Sequence, residues 1–85
     1  MKEFTYTITD SDGIHARPAG LLVKEAAKFK SQTTISSNGK EADAKRRFAV
    51  MGLGIKQGDA VTIRLDGDDE DSAYNEIKTL IEQNL

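Results

Sequence analysis

The one histidine of the chain, His15, stands two residues before Arg17 and three before the only proline, Pro18. Imidazole is a nucleophile that is uncharged near neutral pH. Guanidinium is the side chain best shaped to grip phosphate oxygens in pairs. Together they point to reversible carriage of a phosphoryl group on His15, with Arg17 as a mobile phosphate contact. A lone histidine before a helix can also be a mere cap or surface residue, so the chemistry rests on the pair. Other chemistries lack their parts. The chain has no cysteine, which excludes disulfides, thiolate catalysis and zinc–thiolate sites. One histidine, with acids gathered mostly in the last third, supplies no evident metal-ligand set, and neither a metal nor a cofactor is expected. The glycines match no dinucleotide or P-loop spacing. No Ser-His-Asp arrangement can be read. A stand-alone hydrolase would lack a pocket and a second catalytic group.

The flanking residues say how such a histidine would be held. Asp10-Ser11-Asp12-Gly13 reads as a turn. Proline is tolerated in the first turn of a helix, where its missing N–H costs nothing. His15 should therefore lie at or near an N-cap, with Ala16 and Arg17 opening the helix. The backbone N–H groups there have no partner inside the helix, so the amides of Ala16 and Arg17 form a ready anion seat. Helical spacing continues through Ala19, Leu22, Val23, Ala26 and Phe29, with Lys24, Glu25 and Lys28 facing water.

Around this helix, strands are expected at Phe4–Thr9, Thr33–Ser37, Lys40–Ala44 and Val61–Leu65, from alternation of apolar with polar residues. Asn38-Gly39 is a hairpin signal, since both residues tolerate positive φ. A short helix over Arg46–Met51 ends at Gly52 and Gly54. A last helix opens on Asp69, Glu70 and Asp71, which suit the positive end of its dipole. Its buried stripe is Ala73, Ile77, Leu80 and Ile81. The order β-α-β-β-α-β-α predicts an α+β fold: an open-faced two-layer sandwich whose four-stranded antiparallel sheet is covered on one face by three helices. The opposite face would be rich in Thr and Ser, and wet.

The 85 residues fit one domain, residues 1–85, with a thin core. Hydrophobic residues at 38% and charged residues at 31% argue against disorder. No apolar run approaches a membrane span, and the start of the chain alternates like a strand and not like a signal peptide. A cytoplasmic protein without membrane insertion is expected. The net charge of −2 is polarised: residues 14–56 carry +6 and residues 57–85 carry −6. A basic half of that kind suits an acidic partner, or simply a solvated face. The run Lys45-Arg46-Arg47-Phe48 is too short, and has too few aromatics, for nucleic acid to be a partner.

Gly13-Ile14-His15-Ala16-Arg17-Pro18-Ala19 resembles the phosphorylation-site motif of the HPr family, the histidine-containing phosphocarriers of the bacterial sugar phosphotransferase system. The resemblance spans nearly the whole chain. Ser37-Asn38-Gly39-Lys40, Ala44-Lys45, Gly52-Leu53-Gly54-Ile55, Gln57-Gly58-Asp59 and Gly67-Asp68-Asp69-Glu70 follow in the family's order. It implies the open-faced sandwich. It implies a phosphocarrier and not an enzyme: His15 would accept a phosphoryl group on Nδ1 from Enzyme I, itself charged by phosphoenolpyruvate, and pass it to the IIA domains of sugar permeases. Arg17 is implied as the phosphate-contacting residue. The implied partner surface maps onto Ala16, Arg17, Gly20, Leu21, Lys24, Arg47, Phe48 and Met51, with Arg46 beside them. Phe48 would be an apolar spot ringed by Arg17, Lys24, Arg46 and Arg47, or else a core residue under the short helix. A monomer is expected.

One departure bears on regulation. Many Gram-positive members carry a regulatory serine directly after the Ala-Lys pair, where this chain has Arg46. Arginine cannot take that phosphate, and its charge has the opposite sign. No seryl switch is expected here. Two functions remain open to the residues: a phosphoryl-transfer intermediate, or a regulatory binding module of the same fold whose docking depends on His15 phosphorylation.

Overall fold

The computed structural model describes residues 1–85. In chain order the elements are β1 (Lys2–Thr7), α1 (Ala16–Ala26), β2 (Gln32–Ser37), β3 (Lys40–Asp43), α2 (Arg47–Met51), β4 (Ala60–Asp66) and α3 (Glu70–Asn84). The strands form one sheet in the order β1-β4-β2-β3, antiparallel throughout. This is the architecture expected from the periodicities, with all three helices on one face.

The register explains the core. Phe4 pairs with Ile63, and Ile63 with Ile35, so one row of apolar side chains crosses three strands. These residues meet Leu22 and Ala26 of α1 and Ala73, Ile77 and Ile81 of α3 in a single buried cluster. The ring of Tyr74 meets Phe4 edge-on at 5.3 Å, which ties α3 to β1. α1 lies against α3 and α2, and α3 against β1 and β4.

Element ends differ from the expectations where loops take over the hydrogen bonding. β1 stops at Thr7 because Ile8 and Thr9 leave the ladder. The Ile8 N–H donates to the Asp59 carbonyl at 3.0 Å, and the Thr9 and Asp10 amides to the Leu85 carbonyl at 2.6 and 2.9 Å. Arg46 is the N-cap of α2 and not its first residue. Leu80 is only partly buried, at the margin of the apolar stripe. The uncovered sheet face is polar as expected, and Thr5 and Thr62 share a hydrogen bond across it at 3.1 Å. Thr33 and Ser37 instead face the helices. There the Ser37 hydroxyl donates to the Ala60 carbonyl at 2.8 Å, which meets the cost of burying it.

Asn38 and Gly39, both at positive φ, make the tight turn from β2 to β3. β3 is an outer strand with the sequence Lys40-Glu41-Ala42-Asp43, three of its four residues charged. The link from α1 to β2 is fastened to α3 by Asp69. Its carboxylate accepts the Lys30 and Ser31 amides at 2.8 and 2.9 Å and the Ser31 hydroxyl. The Ser31 hydroxyl, and then the Lys30 amide, hold Asp69 below the usual carboxylate range.

Candidate functional site

His15 is the N-cap residue of α1, with extended backbone at φ −106° and ψ −170°. Its carbonyl accepts the Ala19 N–H at 3.0 Å and so closes the first turn around Pro18. Its side chain makes no cap bond, and the first turn holds no acidic residue. The amides of Ala16 and Arg17 are therefore left at the positive end of the helix. Arg17 and Ala16 are exposed, and the imidazole is 39% exposed.

The loop that delivers His15 is clamped on two sides. Thr9 and Asp10 are held by the Leu85 carbonyl, and the Ile14 N–H donates to the Ile55 carbonyl at 3.1 Å. Gln57 Nε2 also donates to the Thr9 carbonyl at 3.1 Å. Gly13 makes the close approach possible. It sits at φ +65°, and a Cβ there would lie 2.2 Å from the Ile55 carbonyl oxygen. No side chain fits, and the left-handed backbone favours glycine as well.

Next to α1 stands α2. The Arg47 guanidinium donates to the Ala16 carbonyl at 3.3 Å. It passes over Gly20, where a Cβ would come within 3.8 Å of the guanidinium carbon. Arg47 thus links the two helices within one turn of His15. Phe48 is 84% exposed, so the reading of Phe48 as a core residue is wrong: in this five-residue helix Val50 is the buried anchor. Met51 and Leu21 are half-buried, and Lys24 and Arg46 exposed. Lys45 belongs to the scaffold, because its ammonium donates to the Phe29 carbonyl beyond the C-terminal end of α1 at 2.8 Å.

Sequence reasoning gave Asp10 and Asp12 only a turn to make. The structure brings them to the imidazole. Asp10 Oδ2 lies 4.0 Å from His15 Nε2, and donor atoms of Asp10, Asp12 and His15 all fall within 4.8 Å of one another. These are the residues whose donor atoms could approach a cation. The signal for this cluster lay in the turn itself, which folds residues three and five positions before the histidine back beside it.

The two concavities of the molecule lie elsewhere. One of about 360 Å³ runs along α3 beside Glu25 and the other, of about 240 Å³, lies on the open sheet face near Arg64; neither is lined by His15 or Arg17. No helix is long and apolar enough to cross a membrane.

The chain is an open-faced α+β sandwich with a surface histidine at a helix N-cap, an arginine two residues on and an exposed phenylalanine on the neighbouring short helix. Comparison with known proteins gives that arrangement its family. Residues 2–83 match the family described as the PTS HPr component phosphorylation site. The phosphocarrier protein HPr of Mycoplasma capricolum is 46% identical over 86 residues, covering 100% of this chain and 97% of that protein. The solved structure of a mycoplasma histidine-containing phosphocarrier protein superposes with a TM-score of 0.94 at 44% identity, covering 96% of this chain and 93% of that one. Crh, the catabolite repression protein of Bacillus subtilis, aligns with a TM-score of 0.77 at 30% identity, covering 94% of this chain and 92% of its own. The chain belongs to the HPr family.

Proposed function

We propose that His15 is the phosphoryl acceptor of this chain, charged by Enzyme I and discharged to the IIA domains of sugar permeases. The observation that carries the reading is the placement of His15: a surface imidazole at a helix N-cap that nothing caps, with Arg17 in the same first turn. The lone pair of Nδ1 attacks phosphorus, and the donor's bond to phosphorus breaks, its electron pair staying with the donor, as the new N–P bond forms. The phosphoryl oxygens then face the Ala16 and Arg17 amides and the Arg17 guanidinium, which offset the charge without burying it. Shallow seating of this kind leaves the group free to depart to the next protein.

Ala16, Gly20, Leu21, Lys24, Arg46, Arg47, Phe48 and Met51 supply the docking face, apolar at Phe48 and basic around it, which suits acidic partners. The reading needs no cofactor or metal, a monomer in the cytoplasm, and no seryl switch at Arg46. The alternative is a regulatory docking module, the class to which the similarity with Crh points.

Incubation with Enzyme I and phosphoenolpyruvate, followed by mass spectrometry and addition of IIA domains, tests the proposal. One acid-labile phosphoryl group is expected, absent in His15→Ala and passed on to IIA. No gain in mass refutes the reading. A gain that never moves to any IIA domain favours the regulatory module.

A further inference from the structure

The turn before α1 holds an aspartate more firmly than a turn requires. The Asp10 N–H is bound to the Leu85 carbonyl at 2.9 Å, and its carbonyl accepts the Gly13 N–H at 3.0 Å. Its Oδ1 accepts the Asp12 N–H at 2.8 Å. One carboxylate oxygen is thereby committed to the turn, and the other, Oδ2, is left 4.0 Å from His15 Nε2. The Asp10 side chain is only 24% exposed, so its charge is confined to that place. Imidazole has two nitrogens, and in the neutral ring only the one without a proton can attack phosphorus. An anion beside one nitrogen favours the proton there.

We propose that Asp10 is a positioning residue that keeps the proton of His15 on Nε2, so that Nδ1 carries the lone pair. The inference rests on the phosphoryl-carrier reading and its use of Nδ1, and adds to it the residue that sets the tautomer. The proton balance is simple. When Nδ1 bonds to phosphorus, the donor's bond to phosphorus breaks and its electron pair stays with the donor. The ring becomes a positively charged phosphoimidazolium with its Nε2–H intact, opposite the Asp10 carboxylate. On discharge the Nδ1–P electrons return to Nδ1. Nε2 keeps its proton throughout, so no separate acid or base is required. The separation of 4.0 Å is longer than a hydrogen bond, so Asp10 acts on the ring through its charge.

The test uses the whole chain with ¹⁵N-labelled histidine, unphosphorylated, in chelator, at a pH where the ring is neutral. Long-range ¹H–¹⁵N correlation spectra report which nitrogen is protonated. The wild type is expected to hold the Nε2–H form. In Asp10→Asn, whose side-chain oxygen still serves the Asp12 amide, the ratio of Nε2–H to Nδ1–H should fall roughly tenfold. A wild-type ring protonated on Nδ1, or a ratio that Asp10→Asn leaves unchanged, overturns the proposal. An equal fall in Asp12→Asn also overturns it, because the effect would then be a diffuse potential and not the placement of Asp10. Phosphoryl transfer from Enzyme I is measured in parallel. There kcat of Asp10→Asn should drop with KM unchanged, and an unchanged kcat overturns the proposal. The spectra need no phosphorylation, so failure of His15 to become charged counts against the carrier reading while the nitrogen assignment is still scored.

Discussion

Replacing Gly13 by alanine should loosen the whole reactive corner, and its size follows from the backbone. A Cβ at Gly13 would lie 2.2 Å from the Ile55 carbonyl oxygen, whereas ordinary contact begins near 3.4 Å. The loop and the Ile55 segment must part by about 1.2 Å, the difference between those distances. That breaks the bond from the Ile14 N–H to Ile55, 3.1 Å long in the native loop. Losing it strands a buried donor, at about 1–3 kcal/mol. The left-handed backbone adds about 1–2 kcal/mol for any residue with a side chain. Gly54 provides the control. Its φ of +64° matches the +65° of Gly13, but nothing lies within 4 Å of a Cβ there. Gly54→Ala should carry the backbone term alone. Thermal unfolding followed by circular dichroism should place Gly13→Ala at least about 4 °C below Gly54→Ala, given roughly 4–8 °C per kcal/mol for a domain of this size. Transfer from Enzyme I should also slow by about a hundredfold in Gly13→Ala, as expected when a reacting group is displaced by an ångström. If the two variants melt within about 2 °C of each other, the clash is relieved without cost and the reasoning fails.

Phe48→Ala should leave the melting temperature unchanged, since the ring is 84% exposed, while raising KM for Enzyme I roughly tenfold at constant kcat; a fall in stability would mean that the ring packs inside. Arg46 and Arg47 should make transfer sensitive to ionic strength, and Arg46→Ala/Arg47→Ala should flatten the dependence of KM on salt; an equally steep dependence in the double variant would discount them. Asp69, held low first by the Ser31 hydroxyl, and Asp59, held low first by the Lys56 amide and then by the Asn38 side chain, have folded pKa values below their unfolded ones. Their stabilisation is present at neutral pH and lost as pH falls below about 4. Melting temperature should drop there, with a shallower drop in Asp69→Asn; identical slopes would exclude Asp69 as a source.

Much of this molecule is written in its periodicities. Alternation over Val61, Ile63 and Leu65 and helical spacing over Ala19, Leu22 and Ala26 placed the layers, because burial repeats with the geometry of the element. Pro18 set the start of α1 and with it the N-cap position of His15. What repeats nothing stayed hidden. The approach of Asp10 to His15 depends on the path of a turn between two clamps. The reach of Arg47 to Ala16 depends on how α1 and α2 lie together. Lys45 stands in a basic run, yet its ammonium is bonded to the Phe29 carbonyl, a partner sixteen residues away that spacing does not reveal. Thr33 and Ser37 share a face with Ile35, and the register carries these two polar residues to the covered side, where the Ser31 and Ala60 carbonyls receive them.

β3 offers a last consequence. As an outer strand it leaves a row of backbone groups unpaired, yet Lys40, Glu41 and Asp43 crowd its four residues with charge. An incoming strand would have to lay its own backbone beside those charges, and short charged edges resist that kind of zippering. On this edge, backbone templating by another chain is disfavoured, which fits the proposal that partners are read by side chains displayed on the helices. If the proposed docking face holds, affinity for a partner can be retuned one surface residue at a time without redrawing the sheet.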